Sequence, residues 1–275
     1  MLITTIIPLY KGNCFVEGKV KMIESAFRKA GILGKAELLF INDYPDEDII
    51  IPETEMNVRL ITNEKNSGIQ FSRVRGIKEC ESTFVHMLDQ DDEIYEDFYL
   101  ENLRYTEGKD VVVSNCVMEL ADGGERILYR NAIEKKNVLS PKAYIFLDCR
   151  IISPGQCLVR RDSVPNYWME NLLEANGTDD YLLWLLMFES RKAFSVNMTP
   201  LYVHKYTGEN LSLNKEKMLR SHEELRDVLE KYPKSRYAKW IRSKVYFMKG
   251  ENKEYAFLFR WLMNLRMLRI KKFEK

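Results

Sequence analysis

Leu2-Ile3-Thr4-Thr5-Ile6-Ile7 opens the chain as an apolar run without clean alternation. That is the pattern of a parallel strand covered on both faces, and Pro8-Leu9-Tyr10 ends it. The period then changes, with Val16, Val20, Ile23 and Phe27 at helical spacing and Gly31 and Gly34 as the stop. Glu37-Leu38-Leu39-Phe40-Ile41 completes a strand–helix–strand unit and delivers Asn42-Asp43-Tyr44-Pro45-Asp46 at its end. Residues 58–61 predict a third short strand and 63–68 a loop, followed by a helix through Arg73, Ile77 and Cys80. The β-prone run Ser82-Thr83-Phe84-Val85 then leads into His86-Met87-Leu88-Asp89-Gln90-Asp91-Asp92-Glu93, where acid sits as the strand stops.

Four strands with two helices between them predict an α/β fold with a mostly parallel, Rossmann-like sheet over residues 1 to about 100. No Gly-x-Gly-x-x-Gly follows the first strand and no Gly-x-x-x-x-Gly-Lys-Ser/Thr occurs, so dinucleotide-binding and P-loop readings lose their main support. Farther on, the pattern predicts a helix over 96–103, a strand over 110–114, and a hairpin joining 117–120 to 126–129 through Asp122-Gly123-Gly124. Strands follow at 155–159 and 201–204, with an apolar helix over 181–188 between them. From Lys215 the spacing is helical, with Met218, Leu225, Val228, Leu229 and Tyr232 on one side and Pro233 as the break. This divides the chain into a unit over 1–213, in halves 1–100 and 101–213, and a helical C-terminal region over 214–275.

Composition narrows the class. At 275 residues and 45% hydrophobic, the chain can bury a full core. Five scattered cysteines without Cys-x-x-Cys point to neither a disulfide framework nor zinc, and fit a reducing cytosol. The apolar start has no basic lead and is broken by Pro8, so it reads as a buried strand and not as a signal peptide or membrane span. Charge is segregated: residues 234–275 hold 13 Lys/Arg against 3 Glu, while the whole chain carries a net charge of only +1.

The acids at the strand ends are the candidate chemistry. Asp89, Asp91, Asp92 and Glu93 repel one another unless a cation or a ring of donors offsets the repulsion, and a hard divalent ion is the simplest such partner. A plain solvated turn suits the same segment, and taken alone it leaves both readings open.

Taken together, Thr5-Ile6-Ile7-Pro8-Leu9-Tyr10, Phe40-Ile41-Asn42-Asp43, Asn66 with Gly68, Arg73 with Gly76-Ile77, and Leu88-Asp89-Gln90-Asp91-Asp92 resemble family 2 glycosyltransferases of GT-A fold. Gly177-Thr178-Asp179-Asp180-Tyr181-Leu182-Leu183-Trp184 is similar to the acceptor-side acidic motif of that family. The segment from His204 to Ser212 is similar to the one after its last core strand. The resemblance runs in the family's order over residues 2 to about 212. It implies a nucleotide-binding half over 1–100 and an acceptor-binding half over 101–213. The implied activity is transfer of a sugar, with inversion, from a nucleotide diphosphate to an acceptor hydroxyl.

It further implies that Asp91 holds a divalent cation, Mg2+ or Mn2+, and that His204 reaches the metal or the diphosphate, although a lone histidine also suits a structural role. Asp89 lies nearer the donor sugar or ribose, and Asp92 supports the loop. Asp180 aligns with the catalytic base, although Asp179-Asp180 also suits a plain helix N-terminus. Asp43 resembles the residue that reads the donor base and would favour uracil. Pro8, Tyr10 and Asn66 lie near that pocket, while Arg73 would neutralise the diphosphate. Asn42, Val74 and Asp179 stand where the family commonly has Asp, Asn and Glu. The Gly155 turn admits a sugar's close approach or is a plain turn, and His86, Trp168 and Trp184 read as core.

The basic C-terminal stripe of Phe257, Trp261, Leu265 and Leu268 beside Arg260, Arg266 and Arg269 suits a helix on an anionic membrane surface. It suits docking on its own domain or a second subunit equally. The expected partners are a UDP-sugar, a saccharide or lipid-linked saccharide acceptor, and no nucleic acid. The expected setting is the cytoplasm or the inner face of its membrane. A metal-dependent nucleotidyltransferase and a non-catalytic, membrane-associated nucleotide-sugar-binding subunit are the rival readings.

Overall fold

The computed structural model describes residues 1–206, 208 and 214–262. Strand β1 (Ile3–Leu9), helix α1 (Asn13–Lys29) and strand β2 (Ala36–Asn42) form the opening unit, and both strands are buried at every position. Their side chains divide by parity, as the two-residue period of a strand requires. Ile3, Ile7, Leu9, Leu38 and Phe40 pack with Val16, Val20, Ile23 and Phe27 of α1 on one face. Ile6, Leu39 and Ile41 pack on the other. Strand β3 (Asn57–Thr62), helix α2 (Ile69–Glu79) and strand β4 (Phe84–Met87) complete the first half. Gly76 of α2 is required by close packing, because a Cβ there would meet Ile6 Cγ2 at 2.5 Å.

These four strands are parallel, and their register explains the site. Leu9 pairs with Asn42, Asn42 with Thr62, and Ile6 with Met87. The residues that follow, Tyr10, Asp43, Asn63 and Leu88-Asp89, therefore emerge along one edge of the sheet, where open α/β sheets bind ligands.

The second half is mixed. Strand β5 (Glu93–Ile94), helix α3 (Phe98–Leu103), strand β6 (Val111–Glu119) and strand β7 (Glu125–Ile127) come first. Helices α4 (Ala132–Val138) and α5 (Pro141–Leu147), strand β8 (Cys157–Arg160), helices α6 (Asn166–Glu170) and α7 (Asp179–Glu189), and strand β9 (Phe194–His204) follow. The sheet runs β3-β2-β1-β4-β8-β6-β9-β5, with β7 on β6. The parallel arrangement predicted for residues 1–100 holds across its first four strands. Beyond them β8 is antiparallel to both β4 and β6, while β6 and β9 are parallel.

Two predicted strands, 110–114 and 117–120, are one strand here. Its register slips at Ser114, Asn115 and Cys116. The Asn115 side chain occupies the irregularity, donating to the carbonyls of Tyr129 and Met198 and accepting from the Tyr129 amide. The hairpin around Asp122-Gly123-Gly124 is present as β6–β7.

Helices α8 (Lys215–Lys231) and α9 (Ala238–Met248) lie against the body of the protein. Leu225, Leu229, Ile241 and Phe259 are buried in the same core as Trp168, Trp184 and the apolar flank of α7. The chain is helical again from 256. Phe257 and Trp261 are exposed, whereas Phe259 is packed near Phe146 and Phe247. Leu265, Leu268 and the basic residues beside them lie outside the described residues. No described helix is long and apolar enough to cross a membrane.

Candidate active site

A cavity of about 740 Å³ opens at the C-terminal edge of the parallel strands and extends to the N-terminus of α7. Pro8, Tyr10, Asp43, Asn66, Arg73, Asp89, Asp91, Asp180 and His204 all line it. At its β1 end Tyr10 is 46% exposed and meets the Tyr44 ring edge to face at 5.5 Å. Gln90 clasps this turn, accepting from the Tyr10 amide at 2.9 Å and donating to its carbonyl at 3.2 Å.

Asp43 organises the neighbouring loop. Its carboxylate accepts from Asn63 Nδ2 at 2.7 Å and from the amides of Ser67 and Gly68 at 2.9 and 2.8 Å. Gly68, at φ 89°, makes the turn into α2 that permits this. Asn66 caps the same turn, its Oδ1 accepting from the Gly68 amide.

Arg73 reaches the cavity from α2. Its guanidinium is buried, donating to Asp89 Oδ1 and to Asp179 Oδ2, the latter at 2.7 Å. Burial alone would lower its pKa, but the charges of Asp89, Asp179 and Asp180 leave it raised. The arginine is thus a strut joining the β4 end to the start of α7. Ser153 completes the setting of Asp89, donating to its Oδ2 at 2.8 Å.

Asp91 and Asp92 divide the work of the acidic turn. Asp92 is buried, and its carboxylate accepts from the Tyr202 hydroxyl, the Lys205 amide at 2.9 Å and His204 Nδ1 at 3.1 Å. Lys19 of α1 donates to its carbonyl. Among the described residues no side chain donates to Asp91, which faces the cavity. Burial and the charges of Asp92 and Asp89 push its pKa up. Burial works against the charged form of His204, yet the hydrogen bond and charge of Asp92, with Asp89 and Asp91, leave its pKa raised.

The same division recurs at α7. Asp179 is buried, its carboxylate on Arg73 and its carbonyl accepting from Trp168 Nε1 at 2.7 Å. Asp180 has no side-chain donor among the described residues; its Oδ1 accepts only from the Tyr181 amide that follows it. Burial first, then the charge of Asp179, raise its pKa well above the ordinary carboxylate range, against the pull of Arg73.

The other singled-out residues divide. His86 is buried between Tyr99 and the Gly155 carbonyl, and burial pushes its pKa down to about 4. Trp168 and Trp184 are core. Gly155 serves packing, since a Cβ there would meet Tyr202 Cε2 at 2.8 Å. Ser153, Gln90 and Lys19 escaped sequence reasoning because their partners are 64 to 80 residues away. Asp148, Met218 and His222 line the far wall, so α8 takes part in the site. Residues 207 and 209–213 lie outside the described residues.

Among the described residues no group of three His, Cys, Asp or Glu side chains is arranged to hold a metal. Asp91 and His204 both line the cavity, and Mg2+ commonly takes one or two carboxylates and completes its shell with phosphates and water. Asp92 on Nδ1 leaves His204 Nε2 for a ligand, the arrangement typical of metal-binding histidines.

The family model of Glycosyl transferase family 2 matches residues 5–168. The solved structure of S. aureus TarS residues 1–349 in complex with UDP-GlcNAc is 16% identical with a TM-score of 0.64, covering 90% of this chain and 72% of that one. TarS residues 1–349 without that ligand gives 14% identity and a TM-score of 0.60, covering 90% and 71%. A longer TarS structure gives 14% and 0.58, covering 93% of this chain and 45% of that one. No curated protein matches this sequence. The likeness to TarS establishes the GT-A fold, with its central sheet flanked by helices. With the family model spanning more than half of its length, the chain belongs to glycosyl transferase family 2.

Proposed function

We propose that the protein transfers a sugar from a UDP-sugar to an acceptor hydroxyl, with inversion, in cell-surface polysaccharide or glycan assembly. The placement of Asp180 carries this reading: an acid of raised pKa, without a side-chain donor among the described residues, opens on the cavity that Asp91 shares. The acceptor O–H attacks the anomeric carbon and its proton passes to an Asp180 oxygen. The bond from that carbon to the diphosphate breaks, leaving its electron pair on the phosphate oxygen. Inversion sets base and leaving group on opposite faces of the sugar. The Asp89–Arg73–Asp179 bridge fixes the two acidic segments relative to each other for that geometry.

A divalent cation, Mg2+ or Mn2+, held by Asp91 and His204 would stabilise the departing charge as a Lewis acid. The TarS complexes with UDP-GlcNAc and UDP support a uridine nucleotide as donor. Pro8, Tyr10, Asp43 and Asn66 line the cavity at the end where its base would sit. Phe257 and Trp261, exposed beside Arg260, support peripheral contact with an anionic inner membrane face, which suits a lipid-linked saccharide acceptor.

The test is thermal stabilisation by a panel of UDP-sugars with and without Mg2+, followed by acceptor-dependent release of UDP. Metal-dependent stabilisation and UDP release are expected. Release of pyrophosphate instead would place the protein with the nucleotidyltransferases, and indifference to every uridine nucleotide would remove the uridine assignment.

A further inference from the structure

The far wall of the cavity holds a polar group that neither the base nor the cation accounts for. His222 of α8 is 5% exposed and lines the cavity. Its Nδ1 lies 2.8 Å from the Met218 carbonyl. A carbonyl oxygen can only accept, so Nδ1 carries the proton. Burial and the nearby Lys244 push the imidazole pKa down to about 4. The ring is therefore neutral near pH 7 and Nε2 presents a lone pair. That lone pair has no hydrogen-bond partner among the described residues, although the atom is buried. A buried acceptor without a donor is costly, and a cavity ligand with an O–H removes the cost.

A second acceptor stands beside it. Asp148, immediately after α5, adopts φ 102°, a backbone region that L-residues rarely enter. Its Oδ1 receives Lys244 Nζ at 2.8 Å and the Cys149 amide at 3.1 Å, while Oδ2 has no donor among the described residues. Lys244 is committed, with Asp148 on one side and the Tyr181 ring 4.8 Å away on the other. Among the described residues the wall therefore offers two acceptors and no unengaged cation, a chemistry that suits hydroxyls better than phosphate.

The wall is also fixed relative to Asp180. Thr178, which precedes the two acids of α7, bonds the Ser221 hydroxyl at 2.8 Å and donates to the Ser221 carbonyl at 2.9 Å. Ser221 in turn donates to the Ala175 carbonyl. The residue adjoining His222 is thus tied to the loop that sets the base.

We propose that His222 and Asp148 form an acceptor subsite in which His222 Nε2 and Asp148 Oδ2 accept hydrogen bonds from two hydroxyls of one uncharged saccharide. The subsite rests on the transfer reading, since it places the acceptor beside Asp180. With Lys244 already paired to Asp148, the wall offers an anionic acceptor unit no free cation among the described residues.

The chain has three histidines, so its imidazole nitrogens can be followed individually in a 15N spectrum, with His222→Phe giving the assignment. The full chain with UDP and Mg2+ is titrated with the methyl glycosides of glucose, galactose, mannose and N-acetylglucosamine, and separately with glycerol 3-phosphate. At least one neutral glycoside is expected to move the His222 Nε2 resonance saturably toward its hydrogen-bonded position, with the buried His86 unmoved. Glycerol 3-phosphate is expected to leave it in place. Failure of all four glycosides, or a shift by glycerol 3-phosphate alone, overturns the subsite. UDP calorimetry on the same sample separates the two readings: absent nucleotide binding counts against transfer, and intact binding with an unmoved His222 counts against the subsite only.

In turnover with the responding glycoside, His222→Phe should raise acceptor KM roughly tenfold with a smaller change in kcat. His222→Gln, which keeps an acceptor oxygen, should recover part of the loss. An unchanged acceptor KM in the correctly folded His222→Phe variant overturns the assignment.

Discussion

Two neighbouring acid pairs line the cavity, and each splits in the same way. Asp92 and Asp179 are buried and bonded, the first holding Tyr202, His204 and Lys205, the second holding Arg73. Asp91 and Asp180 face the cavity without a side-chain donor among the described residues, and both have raised pKa values. The buried acid anchors the turn, and its charge adds to burial in making the cavity-facing acid harder to ionise. The pairs differ in surroundings. Asp91 has a histidine beside it and suits a cation, whereas Asp180 has Cys149 and Cys157 near and suits a proton. Adjacent carboxylates with one chemistry in sequence thus acquire different tasks from their neighbours.

The contrast breaks most sharply at Asp180. Asp180→Asn should lower kcat roughly 100- to 10,000-fold while UDP binding survives. The same variant should be more stable than the parent at neutral pH. The folded pKa of Asp180 lies above its unfolded value, so stability falls as pH rises from the ordinary carboxylate value toward the raised one, where the unfolded chain ionises before the fold does, and an amide escapes that loss. Urea denaturation at pH 5 and pH 8 checks the sign, which reverses if Asp180 is stabilised as an anion.

Removing the strut comes next. Arg73→Met leaves Asp179 buried and unpaired, which should cost about 3–5 kcal/mol in denaturant unfolding. A loss below about 1 kcal/mol, the level of an exposed ion pair, would make the bridge incidental. Asp92→Asn disturbs the acid that orients His204, and should weaken Mg2+-dependent UDP binding roughly 10- to 100-fold. Equal weakening with and without Mg2+ would argue against His204 as a ligand. Tyr10→Ala is the mildest change. It removes an exposed ring from the proposed base pocket and should raise donor KM by only a few fold, about 0.5–1.5 kcal/mol.

The first half of the fold was legible because its parallel strands are buried on both faces, so their apolar runs stand out and end in conspicuous acids. Residues 101–170 were less so. Asn115 reads as the end of a strand but holds a register slip in a longer one. Helices α4, α5 and α6 span only 7, 7 and 5 residues, too few to display a period. At the site, the sequence singled out the residues that line the cavity, but not which of them are committed to one another. Arg73 between Asp89 and Asp179 is a contact across 106 residues. The contribution of α8 was hidden for a different reason. His222 lies in an amphipathic helix whose pattern reports burial and not what its buried polar atoms face.

The central claim is that Asp180 becomes a base because burial, and then the clamped Asp179 beside it, raise its pKa, and the pH dependence of kcat/KM tests it most directly. The parent should lose activity with falling pH along an acid limb lying above the ordinary carboxylate range. In Asp179→Asn that limb should move part of the way to lower pH, because burial still raises Asp180 but the neighbouring charge is gone. An acid limb at the ordinary carboxylate position in the parent, or one that stays in place in Asp179→Asn, would contradict the account.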